Sequence, residues 1–170
     1  MMQRVKQFYR AITARITPAD RQWVAENLST EAQVLFYAMH PADQYHALHV
    51  AKTALALWAQ HPAGDRSLLL RAALLHDVGR VQGDMDIWGK VLAVLLKHFL
   101  PEWSRHLGSL PEGWLGHILY VYYHHPEIGA LKLEKIGLAS EAALVRRHHT
   151  PAEEKEPPEL ALLRAADELN

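Results

Sequence analysis

The sequence predicts an all-α fold. Apolar residues recur at three- and four-residue steps in nearly every segment, capping residues precede those segments, and no stretch alternates apolar and polar residues as a half-buried strand would. The 170 residues suffice for one domain that buries roughly 70% of the surface its unfolded chain exposes. The longest apolar runs, such as 91–96, are ended by Lys97 and His98, far short of the ~20 residues of a membrane span.

Taken in order, Val5, Phe8, Tyr9, Ile12 and Ile16 give a first helix one apolar face. Thr17 with Pro18 and Asp20 starts a second, because threonine caps free amides and proline is accepted in a first turn. Ser29 and Thr30 start a third, carrying Val34, Leu35, Tyr37 and Ala38. Pro41 opens a longer helix over about 42–60, with Tyr45, Leu48, Ala51, Leu55 and Trp58 on its inner side, and residues 61–64 stop it. Asp65 caps the next run, whose residues 68–75 are apolar except for Arg71. A helix is expected over about 87–100, followed by Pro101, Gly108, Pro111 and Gly113 as breakers. Helix returns over about 114–124, Pro126 begins a further one that ends near Gly137, and Ser140 caps another that runs to His148 and His149. Pro151, Pro157 and Pro158, with Glu153, Glu154 and Glu156, mark an exposed loop before a last helix over about 159–168. The reading divides the chain into an N-terminal helical extension, 1–40, packed on a domain spanning 41–170.

Composition narrows the chemistry. Twelve histidines are spread along the chain in no tag-like run, and there is no cysteine, so thiolate zinc sites and disulfides are excluded. Any metal site must use nitrogen and oxygen. With 18 basic and 19 acidic side chains the formal charge is -1, which lacks the basic footprint of a nucleic-acid duplex binder. Residues 1–15 interleave charged with apolar side chains and have no apolar centre of a secretory signal, so a cytoplasmic protein with no membrane partner is expected.

His76 and Asp77 end the apolar run 68–75, where ordinary packing has no use for an imidazole and a carboxylate. A polar pair in apolar surroundings needs a partner, and a divalent ion satisfies both groups together. Other polar residues break the helical pattern in the same way. His46 and His49 are one turn apart, His124 and His125 precede Pro126, His148 and His149 end a helix, and Asp167 sits on an otherwise apolar face. Together they offer donors for one or two ions such as Fe, Mn or Zn. Plainer uses exist for each: a helix C-cap for His76 and Asp77, a carbonyl-bonded core histidine for His46, pairing with Arg164 for Asp167, and exposed helix ends for His125, His148 and His149.

The order His46, His76 with Asp77, His125, His148 with His149, and Asp167 resembles the HD-domain superfamily of metal-dependent phosphohydrolases, an all-helical fold. The likeness covers about 41–170. Residues 74–80, LLHDVGR, are close to that family's LLHDIGK signature, and 124–130, HHPEIGA, look like the segment that supplies an extra histidine in its binuclear members. The resemblance implies His46, His76, Asp77 and Asp167 as the basic ligands, with Asp77 bridging when two ions bind and His125, His148 and His149 completing the second site. His49 falls where the family often has arginine and is not counted; His124 is set aside because the Pro-Glu-Ile-Gly that follows aligns His125 instead.

The implied cofactor is one or two divalent ions, Fe or Mn foremost, with Zn, Mg or Ni as further choices. The implied activity is hydrolysis of a phosphate ester, a nucleotide foremost, by a hydroxide that such an ion makes available near neutrality. Asp77 and Arg80 then carry the chemistry, Arg80 standing at the signature's lysine and gripping a phosphate with its planar fork. Arg146 and Arg147 either add positive field or form a solvated helix face. Thr150, Pro151, Ala152 and Glu153 replace the glycine-tyrosine-proline motif of the branch that cleaves cyclic di-GMP, and Val81, Gln82 and Gly83 lack the Glu-Asp pair of the stringent-response hydrolases. The HPEIGA and Arg-Arg-His regions are shared with small binuclear members that act on dinucleoside polyphosphates or cyclic di-AMP. Two other readings stay open: a non-catalytic metal- or nucleotide-binding HD module with a regulatory role, and a di-iron oxygenase. The extension, with Tyr9, Trp23 and Tyr37, suits core packing, the substrate mouth or a homodimer contact.

Overall fold

The computed structural model describes residues 15–84, 87–110 and 112–170, the side chains of Ile87 and Lys90 excepted. The first expected helix therefore lies outside the described residues, but for Arg15 and Ile16, which are not helical. All regular structure among the described residues is α-helix: α1 (Pro18–Asn27), α2 (Thr30–Ala38), α3 (Pro41–Gln60), α4 (Arg66–Leu75), α5 (Ile87–Phe99), α6 (Pro101–Gly108), α7 (Gly113–Lys135), α8 (Ala139–Arg147) and α9 (Pro158–Leu169). The all-α expectation is borne out. Among the described residues, no helix is long and apolar enough to cross a membrane.

Local chemistry sets most helix starts. Thr17 accepts from the Asp20 amide at 3.1 Å while the Asp20 carboxylate accepts from the Thr17 amide, a capping box that starts α1. Ser29 accepts from Ala32 N, and Asp65 from Ser67 N and Leu68 N. His40 caps α3 through Nδ1, which accepts from the Ala42 amide. Three expectations are corrected. Pro101 does not only break a helix; it sits at the first position of α6, where its missing N–H costs nothing. Ser140 lies inside the first turn of α8, whose cap is Leu138. The inner face of α3 is centred on Ala47, Leu48, Ala51 and Ala54, and Tyr45 is only half-buried.

The fourth correction concerns Pro126, which lies inside one continuous α7 rather than between two helices. Proline removes the amide that would reach the Tyr122 carbonyl four residues back. That carbonyl is instead satisfied by His125 Nδ1 at 2.9 Å, so the helix passes through.

At the centre is α4, which packs against α3, α8, α9 and α2. Its residues Leu69, Leu70, Ala72, Ala73, Leu74 and Leu75 are all buried, as expected of a helix apolar on nearly every side. The same buried cluster contains Val24, Leu28, Ala32, Phe36 and Met39 from α1, α2 and their flanks. A second, smaller cluster of Ala93, Ile118, Leu119 and Val121 joins α5 to α7. Arg71 breaks the apolar surface of α4, and its Nε donates to the buried carboxylate of Glu141 on α8 at 2.6 Å.

Where α4 ends, its turn meets α7 backbone to backbone. A Cβ on Gly79 would fall onto the carbonyl oxygen of His125, and one on Gly129 would stand 3.2 Å from Gly79 N and 3.3 Å from Val145 Cγ1. Lys132 Nζ closes the contact by donating to the Val78 carbonyl at 3.0 Å. This approach fixes how far Asp77 lies from His125.

Two consequences can be measured. Arg71→Leu strands the Glu141 carboxylate in the interior, and the first-turn position of Glu141 compensates only partly; we expect a loss of about 3 kcal/mol in urea unfolding, largely recovered by also changing Glu141→Leu. Gly79→Ala forces the α4 turn away from α7 and costs about 2–3 kcal/mol, with a lower unfolding midpoint and an unchanged denaturant slope.

Candidate metal centre

Three histidines stand where a helix end or an interior proline leaves a carbonyl free to take a further donor. Ala73 and Val145 lie in the last turns of α4 and α8, and Tyr122 lost its donor to Pro126. His76 Nδ1 bonds Ala73 O at 2.8 Å, His148 Nδ1 bonds Val145 O at 2.6 Å, and His125 Nδ1 bonds Tyr122 O at 2.9 Å. A carbonyl only accepts, so each Nδ1 carries the proton and each Nε2 points its ligating side inward. All three rings are buried, at 1%, 1% and 2% exposure respectively.

Two clusters result. His46, His76 and Asp77 form the first, and His125, His148 and His149 the second, the donor atoms of each lying within 4.8 Å of one another. Asp167 joins the first: its Oδ1 is 2.9 Å from His46 Nε2 and 3.6 Å from His76 Nε2. Asp77, 1% exposed, lies between the clusters, with Oδ2 3.6 Å from His76 Nε2 and Oδ1 3.5 Å from His125 Nε2. The rings of His76 and His148 meet edge to face at 5.3 Å, and His149 lies tilted on His148 at 3.9 Å.

The donor set fits divalent ions. His76 Nε2, His148 Nε2 and Asp77 Oδ1 are buried and make no hydrogen bond, a costly arrangement for groups with no further role. Two ligands each ~2.1 Å from one ion at ordinary coordination angles stand ~3.0–3.5 Å apart, close to the spacings seen here. Imidazole with carboxylate and no thiolate suits Fe, Mn or Zn.

Electrostatics follows burial and charge. Burial pushes His76 down, but Asp77 and Asp167 outweigh it and raise the imidazole to about 9. Burial would raise Asp77, yet Arg80 and His76 hold it well below the ordinary carboxylate range. Asp167 is likewise held low against burial, by its bond to His46 and by the nearby His76 ring. Burial, with Arg80, pushes His125 well down, and burial, with His76 and His149, takes His148 to about 3. Burial lowers His149 as well. Neutral imidazoles are the ligating form.

Every residue singled out from the sequence as a ligand therefore lies in one contiguous site. Of the plainer uses, the helix C-cap holds for His76 and the exposed helix end for His149, whereas His46 bonds Asp167 rather than a carbonyl, Asp167 leaves Arg164 to pair with Glu156 at 2.9 Å, and His125 and His148 are buried. His49 bonds the Tyr45 carbonyl and belongs to neither cluster, and the exposed His124 stacks on Tyr120. Arg146 is bound to Glu127 and Glu134, and Arg147 to Glu153, so their charge is spent on neighbouring carboxylates. Arg80 donates from Nη1 to Asp77 Oδ2 at 2.7 Å and from Nη2 to His125 Nε2 at 3.0 Å. Sequence reading missed Gly79, Gly129 and Lys132 as the residues that hold the two halves of the site together. The glycines sit inside the two signature stretches and could have been found there; a lysine four residues after Ile128 carries no such signal.

The family model for the HD domain matches residues 44–105, a stretch that contains His46, His76 and Asp77 but none of His125, His148, His149 or Asp167. No curated protein and no solved structure matches the chain. With the His-Asp pair at the end of a buried helix and its helical scaffold in place, the matched stretch is similar to the HD domain, a superfamily of metal-dependent phosphohydrolases whose domains bind divalent metals.

Proposed function

We propose that the chain hydrolyses a phosphate ester, a nucleotide foremost, at a centre of two divalent ions, Fe or Mn. In this reading His46, His76, Asp77 and Asp167 hold the first ion, and His125, His148 and His149 hold the second, with Asp77 shared. The observation that carries it is the aim of the Asp77 carboxylate, one oxygen 3.6 Å from His76 and the other 3.5 Å from His125. A bound divalent ion supplies a water acidified toward neutrality and offsets the charge of a phosphate oxygen.

The chain's own residues do the rest. The three Nδ1 bonds to carbonyls lock ring tautomer and direction, so no reorganisation is needed when substrate arrives. Arg80 is the nearest cation to both clusters and has the planar fork that matches a phosphate. In this reading residues 1–40 form an addition to the hydrolase domain of 41–170, and the described part of it packs Val24, Phe36 and Met39 into that domain's core.

Metal analysis of the purified protein, paired with anomalous scattering, tests the count: two ions in the wild type, none in Asp77→Ala and at most one in His125→Ala. Full metal content in Asp77→Ala overturns the reading. A panel of nucleotides and generic phosphodiesters tests the chemistry, and we expect release of phosphate or nucleoside monophosphate that Asp77→Ala reduces by about 1000-fold or more. Ligand binding without turnover by the metal-loaded wild type selects the non-catalytic module instead. Stripping the ions lowers the melting temperature as well, because they bind the folded chain only; ions present at ~1000 times their dissociation constant contribute about 4 kcal/mol.

A further inference from the structure

Arg80 occupies the position that the second cluster needs. His125 donates through Nδ1 to the Tyr122 carbonyl, so its Nε2 has a single lone pair in the ring plane. Arg80 Nη2 donates to that lone pair at 3.0 Å. One lone pair serves one partner: His125 cannot ligate an ion and accept from Arg80 together. The same guanidinium holds Asp77 Oδ2, the oxygen that faces His76, through Nη1 at 2.7 Å, so one side chain spans the shared carboxylate and the histidine of the second cluster.

A second observation shows that this placement is a compromise. Arg80 Nε is buried and makes no hydrogen bond, which is costly for a charged fork whose donors are normally all engaged. Arg80 is itself only partly buried and stands at the edge of the site, while Asp77 and His125 lie inside it.

Building on the two-ion reading above, we infer that Arg80 is the resident cation of the metal-free second site, that the second ion displaces it from His125, and that the freed fork turns to the phosphate of the substrate. Loading the second site and arming the substrate clamp are then one event. A phosphate monoester or diester, which offers two oxygens to a planar fork, is the class of ligand that the released side chain takes.

The test uses Zn2+ as a diamagnetic probe, added stepwise to the metal-stripped full chain and followed by calorimetry and by the arginine 15N–1H signals. Arg80→Met keeps the length of the side chain and removes its charge and donors. We expect the second Zn2+ to bind about 10- to 100-fold more tightly to Arg80→Met than to the wild type, the size of effect expected from removing a charge-assisted hydrogen bond. In the wild type, the first equivalent of Zn2+, which takes Asp77 Oδ2, should move the Arg80 signals only in part, and the second equivalent should shift the Arg80 Nε–H signal further as the bond to His125 is lost, a measurement that needs no variant to fold. Equal or weaker second-ion binding in Arg80→Met, an Arg80 signal that ignores the second equivalent, or a second ion taken by neither protein overturns the displacement. Tighter second-ion binding in Arg80→Met without any phosphate-ester turnover by the loaded wild type keeps the displacement and removes the hydrolase reading; turnover with unchanged second-ion affinity does the reverse.

Discussion

The structure is organised around a carboxylate that water does not reach. Asp77 is 1% exposed, and an isolated charge at such depth is prohibitively costly unless cations and donors surround it. Here it faces the Arg80 fork on one oxygen, His125 across from the other, and a His76 ring whose pKa is raised to about 9. Among the chain's own groups, two carboxylates, Asp77 and Asp167, face two positive groups, Arg80 and His76 with its raised pKa. The burial that makes α4 the core of the domain also makes this balance compulsory.

Folding and site construction share one device. A helix end leaves carbonyls without partners, and a proline inside a helix leaves one more. At three such places the partner is a histidine Nδ1, so the demand for a hydrogen bond is met by a group that leaves Nε2 aimed at the centre. His76, His125 and His148 are thus structural and chemical at once. The Gly79 and Gly129 contact then brings the end of α4 against α7, so the carboxylate from one helix meets the imidazole from the other.

Much of this was legible in the sequence because the signals were local. Apolar periodicity, Thr17, Ser29 and Asp65 as caps, and the polar pair ending 68–75 each act within a few residues, and each corresponds to an observed feature. The histidines were legible as a set, since polar rings in apolar helices call for a common partner. What was not legible depended on contacts across the chain. Pro126 reads locally as a helix start and becomes an interior residue only because His125 takes the orphaned carbonyl. The occupation of His125 by Arg80, 45 residues away in sequence, and the clamp of Lys132 on Val78 have no local signature at all.

Charge balance also says why a phosphate is the apt ligand for such a site. Neutrality among the chain's own groups rests on Arg80 and on the proton of His76. In the proposed two-ion reading, two divalent ions would bring four positive charges against the same two carboxylates, while ligation would remove at most the His76 proton and leave the charge of Arg80 in place. A centre so loaded would be strongly positive inside low-dielectric walls, which would strengthen its attraction for an anion well beyond what the same charges achieve in water. A neutral ester or amide would leave that charge uncompensated. A phosphate ester, with one or two negative charges and oxygens enough for both ions and an arginine fork, restores the balance that the buried carboxylates first imposed.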